Sequence, residues 1–204
     1  MTNKIFAAAV LAMIGCPARA HHFMDGDVPQ TFMQGLLSGL GHPLIGLDHA
    51  AFIVTAGFLL ALVRGGVWGI AALIIGSLCG AALHLAGVNL PGSEAGVAVS
   101  VILIGVLAMA QCRLPLSWLA GGLVFAGAFH GHAYAESIFG AEMSPLVAYL
   151  TGFSAMQFAV ATAAFLLHRW LINQRQPWIR PVFSALGMIT GAVGLVYLAI
   201  NIAG

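Results

Sequence analysis

From its amino end the chain is a succession of long apolar runs separated by brief polar or glycine-rich punctuation. Lys4 is followed by an apolar stretch over 5–14 and then by Pro17-Ala18-Arg19-Ala20, the small-residue pattern of a secretory cleavage site, so residues 1–20 read as a signal peptide. Met13-Ile14-Gly15-Cys16 offers a lipoprotein-type alternative, and either leaves the mature N-terminus in the periplasm. Residues 21–41 are polar at the outset, with Asp25 and Asp27, and 31–40 reads as an interfacial helix. Six runs follow at 43–63, 67–86, 94–111, 116–138, 145–170 and 182–202, each near the ~20 residues a helix needs to cross about 30 Å of hydrocarbon. The breaks carry Arg64-Gly65-Gly66, the 89–93 and 113–115 segments, Gly140 to Ser144, and the polar 173–181 segment.

The expected fold is therefore all-α, a polytopic membrane bundle of six transmembrane helices forming one domain over 21–204. Backbone polar groups in lipid must be satisfied within each segment, which helices do, and the dyad alternation of an outer-membrane barrel is absent. Composition agrees: 61% of the 204 residues are hydrophobic and 6% charged, far below the roughly 25% charged of soluble domains. A net charge of +1 argues against nucleic acid. The three cysteines, Cys16, Cys79 and Cys112, form no CxxC pair or disulfide framework. The chain has no phosphate-binding loop, so ATP-driven work would need a partner. Beyond the leader the basic residues are Arg64, Arg113, Arg169, Arg175 and Arg180, all in connections on one side if the N-terminus is outside. By the positive-inside rule that side is cytoplasmic, and the protein belongs in the inner membrane.

The same orientation gathers the chemistry into one layer. His42, Asp48 and His49 fall at the outer end of the first span, His84 at the outer end of the second, Glu94 at the start of the third, and His130, His132 and Glu136 at the outer end of the fourth. Ionisable groups inside hydrocarbon are costly and mark function by default. Imidazole together with carboxylate suits a borderline divalent ion such as nickel or cobalt. His42 and His49 share a helix face but stand ~10 Å apart along an ideal axis. They need help to reach one ion, and Pro43 as the first residue of the span would leave His42 outside the helix, able to fold inward. His132 and Glu136 are i,i+4 neighbours, whereas His130 points away from them unless Gly131 breaks the turn; an interhelical hydrogen bond is its alternative role. His84 reads equally as helix-end packing, Glu94 as a complement to the helix dipole, and Asp48 with His49 as a hydrogen-bonded packing pair. His21 and His22 would capture metal at the freed N-terminus or simply begin a solvated tail. His168, beside Arg169, reads as an interfacial residue.

His42-Pro43-x-x-Gly46-x-Asp48-His49, followed later by Phe129-His130-Gly131-His132-Ala133-Tyr134-Ala135-Glu136, resembles the HupE/UreJ family. Some members carry a second His-Gly where this chain has Tyr134-Ala135, so Tyr134 is not assigned to metal. The resemblance implies a cleaved leader, six helices and a nickel or nickel/cobalt permease serving hydrogenase or urease maturation. It carries His42, Asp48 and His49 over as essential, and His130 and Glu136 less firmly.

Expected on this reading are Ni²⁺ or Co²⁺ as cargo with no resident cofactor, the bilayer as environment, no nucleic acid, and no enzymatic reaction; self-association is left open. A membrane cytochrome using His49, His84 or His130 as haem ligands would leave Asp48 unexplained. A metal-binding accessory or sensor that does not transport is the other alternative. An intramembrane metal enzyme would call for H-E-x-x-H or clustered His boxes, which the chain lacks.

Overall fold

The computed structural model describes residues 28–203; the leader expected over 1–20, and His21 and His22, lie outside them. The described chain forms seven helices with no strand among them: α1 (Phe32–Ile45), α2 (Leu47–Leu60), α3 (Val67–Leu85), α4 (Ser93–Met109), α5 (Leu116–Glu136), α6 (Met143–Asn173) and α7 (Ile179–Ala203).

The first span is not the single helix expected from residue 43. It is two helices meeting at 77°, broken at Gly46, whose backbone is extended (φ −73°, ψ 111°). α1 takes in the segment expected as an interfacial helix and starts with a capping box: Thr31 Oγ1 accepts from the Gln34 amide at 3.2 Å, and Gln34 Oε1 accepts from the Thr31 amide at 3.1 Å. Pro43 lies inside α1 instead of opening the span. Its missing N–H and its clash with the preceding turn weaken the helix there, and α1 ends at Ile45.

By length and composition α3, α6 and α7 can each cross a membrane, and α1 with α2 makes a fourth crossing if the bent pair is one span. α4 is apolar but has 17 residues. α5 has 21, with His130, His132 and Glu136 near its end. Three to four crossings, not six, follow from these criteria alone.

Three helix pairs carry the packing: α3 with α5, α4 with α7, and α1 with α6. Small residues let the backbones meet. A Cβ on Gly80 would collide with the Ala128 carbonyl oxygen, and one on Gly76 with that of Val124, so α3 and α5 ascend together, in parallel. Gly35 lies on the Pro145 carbonyl and Gly39 on that of Tyr149, so α1 and α6 are parallel too. Gly105 and Gly187 face each other across α4 and α7 while Gly194 meets Ala98, which makes that pair antiparallel.

α2 occupies the centre, against α6, α4 and α7. Phe52, Ile53, Ala56, Leu59 and Leu60 are buried along it. Thr55 and Thr190 share a 2.8 Å hydrogen bond to α7. Near the end of α2, His168 of α6 is 2% exposed, 2.6 Å by its Nδ1 from the Phe58 carbonyl and packed on the Phe58 and Phe183 rings. It is a buried tie between helices rather than the interfacial residue expected. Arg113, Arg175 and Arg180 line a cavity of about 600 Å³ at this same end of the bundle.

Candidate metal site

The break at Gly46 decides where the motif residues go. Because α1 and α2 meet at an angle, His42 at the end of one and His49 at the start of the other come to 6.2 Å between ring centroids. A straight helix would hold them well apart. Gly46 itself has a dihedral any residue adopts, so its requirement is clearance. A Cβ there would stand 2.7 Å from His49 Cδ2 and 3.0 Å from Asp48 Oδ1.

His42, Asp48, His49 and His130 are all buried, with at most 7% of their surface exposed. Asp48 lies in the first turn of α2, where a carboxylate suits the positive end of the helix dipole. Its Oδ1 accepts from the His49 amide at 2.8 Å. α5 stays helical through Gly131, and His130 reaches across to α2, its Nδ1 at 2.7 Å from His49 Nδ1 and its ring stacked on Phe52. His130 Nε2 lies 2.9 Å from Ser100 Oγ of α4, which donates to the Val97 carbonyl at 2.7 Å.

The network assigns the ring protons. With its proton on Val97, Ser100 accepts from His130 Nε2–H. His130 Nδ1 is then an acceptor, His49 donates through Nδ1–H, and the lone pair of His49 is on Nε2. His42 follows the same logic. Its Nδ1 lies 2.8 Å from the Tyr149 hydroxyl and 3.1 Å from Ser137 Oγ. Both hydroxyls donate to the Tyr134 carbonyl, at 2.7 and 3.0 Å. His42 therefore donates from Nδ1 and keeps its lone pair on Nε2. A ring anchored through one nitrogen with the other unprotonated is the usual state of a metal-binding histidine.

Tyr134 fills the middle of the cluster, fully buried, its ring 4.6 Å from that of His49 and 5.1 Å from that of His42. Among the described residues no three His, Cys, Asp or Glu side chains stand close enough to hold one ion together. His49 and His130 are hydrogen-bonded at 2.7 Å, closer than the about 3–4 Å between two nitrogens on one ion with bonds of ~2.0–2.1 Å. Loading a cation here means prising that pair apart.

The remaining candidates divide. His132 does not join this cluster: its Nε2 lies 3.2 Å from His84 Nδ1, accepts from the Leu90 amide at 3.2 Å, and is 3.3 Å from the Val88 carbonyl. His84 and His132 thus clamp the α3–α4 connection onto α5. Glu136 is exposed at the end of α5, and Glu94 is exposed in the first turn of α4. Sequence reasoning passed over Ser100, Ser137 and Tyr149. Their signal was weak: single hydroxyls in apolar helices, which on their own usually bond their own backbone.

Residues 8–197 match the family described as HupE / UreJ protein. The chain belongs to the HupE / UreJ family. A curated relative, protein HupE of Rhizobium leguminosarum bv. viciae, is 31% identical over 147 residues, which cover 71% of this chain and 73% of that protein. No solved structure matches. Within this HupE / UreJ chain, the first motif is the stretch that bends at Gly46 and brings His42 to His49, and the second supplies His130 and Tyr134 to the same pocket.

Proposed function

We propose that this HupE / UreJ protein is a secondary transporter that takes up a divalent cation, Ni²⁺ or Co²⁺, from the periplasm to the cytoplasm for metalloenzyme maturation. The observation that carries the reading is the convergence of His42, Asp48, His49 and His130 from three helices onto a buried break in the first span. Carriers place their sites at discontinuous helices, where a chain break frees polar groups at membrane depth. Imidazole and carboxylate at such a break are the donors a borderline dication needs to exchange for its water.

The six-span topology belongs to this proposal. α1 with α2 forms one broken crossing, α4 at 17 residues spans ~25 Å, and α5 crosses with its histidines against other helices. Arg113, Arg175 and Arg180 at one end, and every described histidine but His168 at the other, support an outward-facing site with the N-terminus in the periplasm. Helix pairing supports a mechanism as well. Exchange of the first three spans for the last three turns the α3–α5 pair into the α6–α1 pair and returns α4–α7 to itself, with the parallel and antiparallel senses kept. That is the pattern of an inverted repeat, and rocking of one half against the other would open the pocket inward. Two charges crossing ~100 mV gain about 4.6 kcal/mol, roughly a thousandfold accumulation or more without ATP.

The buried carboxylate of Asp48 beside the histidines supports an ionic cargo over haem, which would leave that carboxylate without a role. Uptake of radiolabelled nickel by cells expressing the chain, beside Asp48→Ala, tests the proposal. Wild-type accumulation lost in the variant is expected; equal accumulation in both removes the permease reading. Competition with cobalt, zinc and copper ranks the cargo.

A further inference from the structure

The end of the bundle away from the histidine pocket holds a cavity of about 600 Å³, within the about 300–1,000 Å³ usual for ligand sites. Arg113 just past α4, Arg175 just past α6 and Arg180 in the first turn of α7 line it, and no carboxylate does. The four carboxylates among the described residues, Asp48, Glu94, Glu136 and Glu142, all belong to helix ends on the opposite side. Three guanidiniums thus gather where no described acid can neutralise them. A bias of basic residues toward one side of a membrane accounts for the end they occupy, but not for their convergence. Arg64 and Arg169 stand at the same end and line no part of the cavity; Arg169 lies over the Phe165 ring at 5.8 Å instead.

The walls are shaped as well as charged. Gln111 and Arg175, both lining the cavity, close α4 and α6 in the left-handed conformation (φ 51° and 52°) and are the only described non-glycine residues with positive φ. Glycine is the usual occupant of that position, yet both helices keep a long polar side chain there. Gln111 Nε2 donates to the Arg180 carbonyl at 2.8 Å and to Ser184 Oγ at 3.1 Å, which ties the end of α4 to the start of α7.

Depth points to the occupant. All four tryptophans of the chain are exposed and stand at this end: Trp68 and Trp118 at the starts of α3 and α5, Trp170 near the end of α6, and Trp178 just before α7. Exposed tryptophans settle at the headgroup level of a bilayer, so the arginine cavity, bounded by the ends of the same helices, opens there.

We propose that this cavity binds the phosphate of an anionic phospholipid from the adjoining leaflet, with Arg113, Arg175 and Arg180 as its donors. Guanidinium forks match phosphate oxygens two at a time, and basic pockets between membrane helices take lipid headgroups. A soluble phosphate shares that chemistry but lacks the acyl chains that hold a lipid at the depth the tryptophans mark. The transported cation is not the occupant, since three guanidiniums repel a dication. The lipid site therefore stands whether or not the chain carries metal.

The test is native mass spectrometry of the full chain in detergent, titrated with dioleoyl phosphatidylglycerol or with dioleoyl phosphatidylcholine, which has the same chains but no net charge. Wild type is expected to bind the anionic lipid at least about tenfold more tightly. Arg113→Gln with Arg180→Gln is expected to weaken that binding by about tenfold or more, while Arg64→Gln with Arg169→Gln, equal in charge, stays within about threefold of wild type. Arg175→Gln alone, expected to lose about fivefold, carries the same comparison if the cavity pair does not fold. Equal losses in the two pairs assign the effect to diffuse surface charge and overturn the site. Equal binding of the two lipids by wild type overturns it too. Displacement of the lipid by millimolar inorganic phosphate gives the cavity to a soluble anion and overturns the lipid as its occupant.

Discussion

His49 on α2 and His130 on α5 meet nitrogen to nitrogen, Nδ1 to Nδ1, at 2.7 Å. Residues 81 positions apart, one from each of the chain's two histidine motifs, thus hold a single proton between them. Ser100 fixes the far side of His130. Removal of the Ser100 hydroxyl leaves His130 free to take the other tautomer. Ser100→Ala is therefore expected to weaken Co²⁺ or Ni²⁺ binding by about 10-fold, at the low end for lost outer-sphere support, with the fold intact. Titration of purified protein measures it, and an unchanged affinity would separate Ser100 from the site.

Gly46 is required for space and not for its dihedral. The added methyl in Gly46→Ala pushes against His49 Cδ2 and Asp48 Oδ1. Expected is a loss of metal affinity of about tenfold or more with a near-normal melting temperature, since shifting the surroundings of two side chains is local. Normal metal binding by the variant would mean that clearance at Gly46 does not shape the site.

Close backbone contact is expected to show up as stability alone. Gly80→Val places a branched side chain on the Ala128 carbonyl and is expected to cost about 1–3 kcal/mol. Gly121 has open space around it, so Gly121→Ala is expected to be neutral or to stabilise its helix by up to about 1 kcal/mol. Thermal melts of the two in detergent give the comparison; equal melts would mean that the α3–α5 contact tolerates a wider spacing.

Uptake is expected to fall with acidity. A protonated imidazole has no lone pair for a cation, so binding weakens as pH falls, by up to about tenfold per pH unit for each coordinating ring that becomes protonated. Initial uptake rates measured with the membrane potential held constant check the sign. A rate that rises on acidification would point instead to proton-driven exchange.

Thr55→Val removes the hydroxyl that bonds Thr190, about two turns along α2 from Asp48. A stability loss of about 1 kcal/mol with unchanged metal binding is expected, because the Thr190 hydroxyl can turn to its own helix backbone. Altered binding would extend the site deeper along α2.

The helices, with ends within a few residues, and the layer that holds the histidines were legible in the amino-acid order. Apolar run length and turn residues report on backbone and solvent, which are local matters. The first span was not. A helix expected to begin at Pro43 instead stops just beyond it, because Gly46 takes an extended dihedral that nothing in the hydropathy pattern requires. Which histidines share a pocket was equally beyond the sequence. His132 and Glu136 looked like the paired residues of α5, yet His130, on the other face, meets His49, while His132 turns to His84. Spacing along one helix says which side chains face the same way; what stands opposite depends on the packing of α3 against α5 and of α2 against both α4 and α6. Chain order alone thus determined a membrane-type helical protein with imidazole and carboxylate gathered toward one end. The tertiary structure decided which of them touch, because only the bend at Gly46 and the glycine-on-carbonyl contacts set the distance between helices distant in sequence.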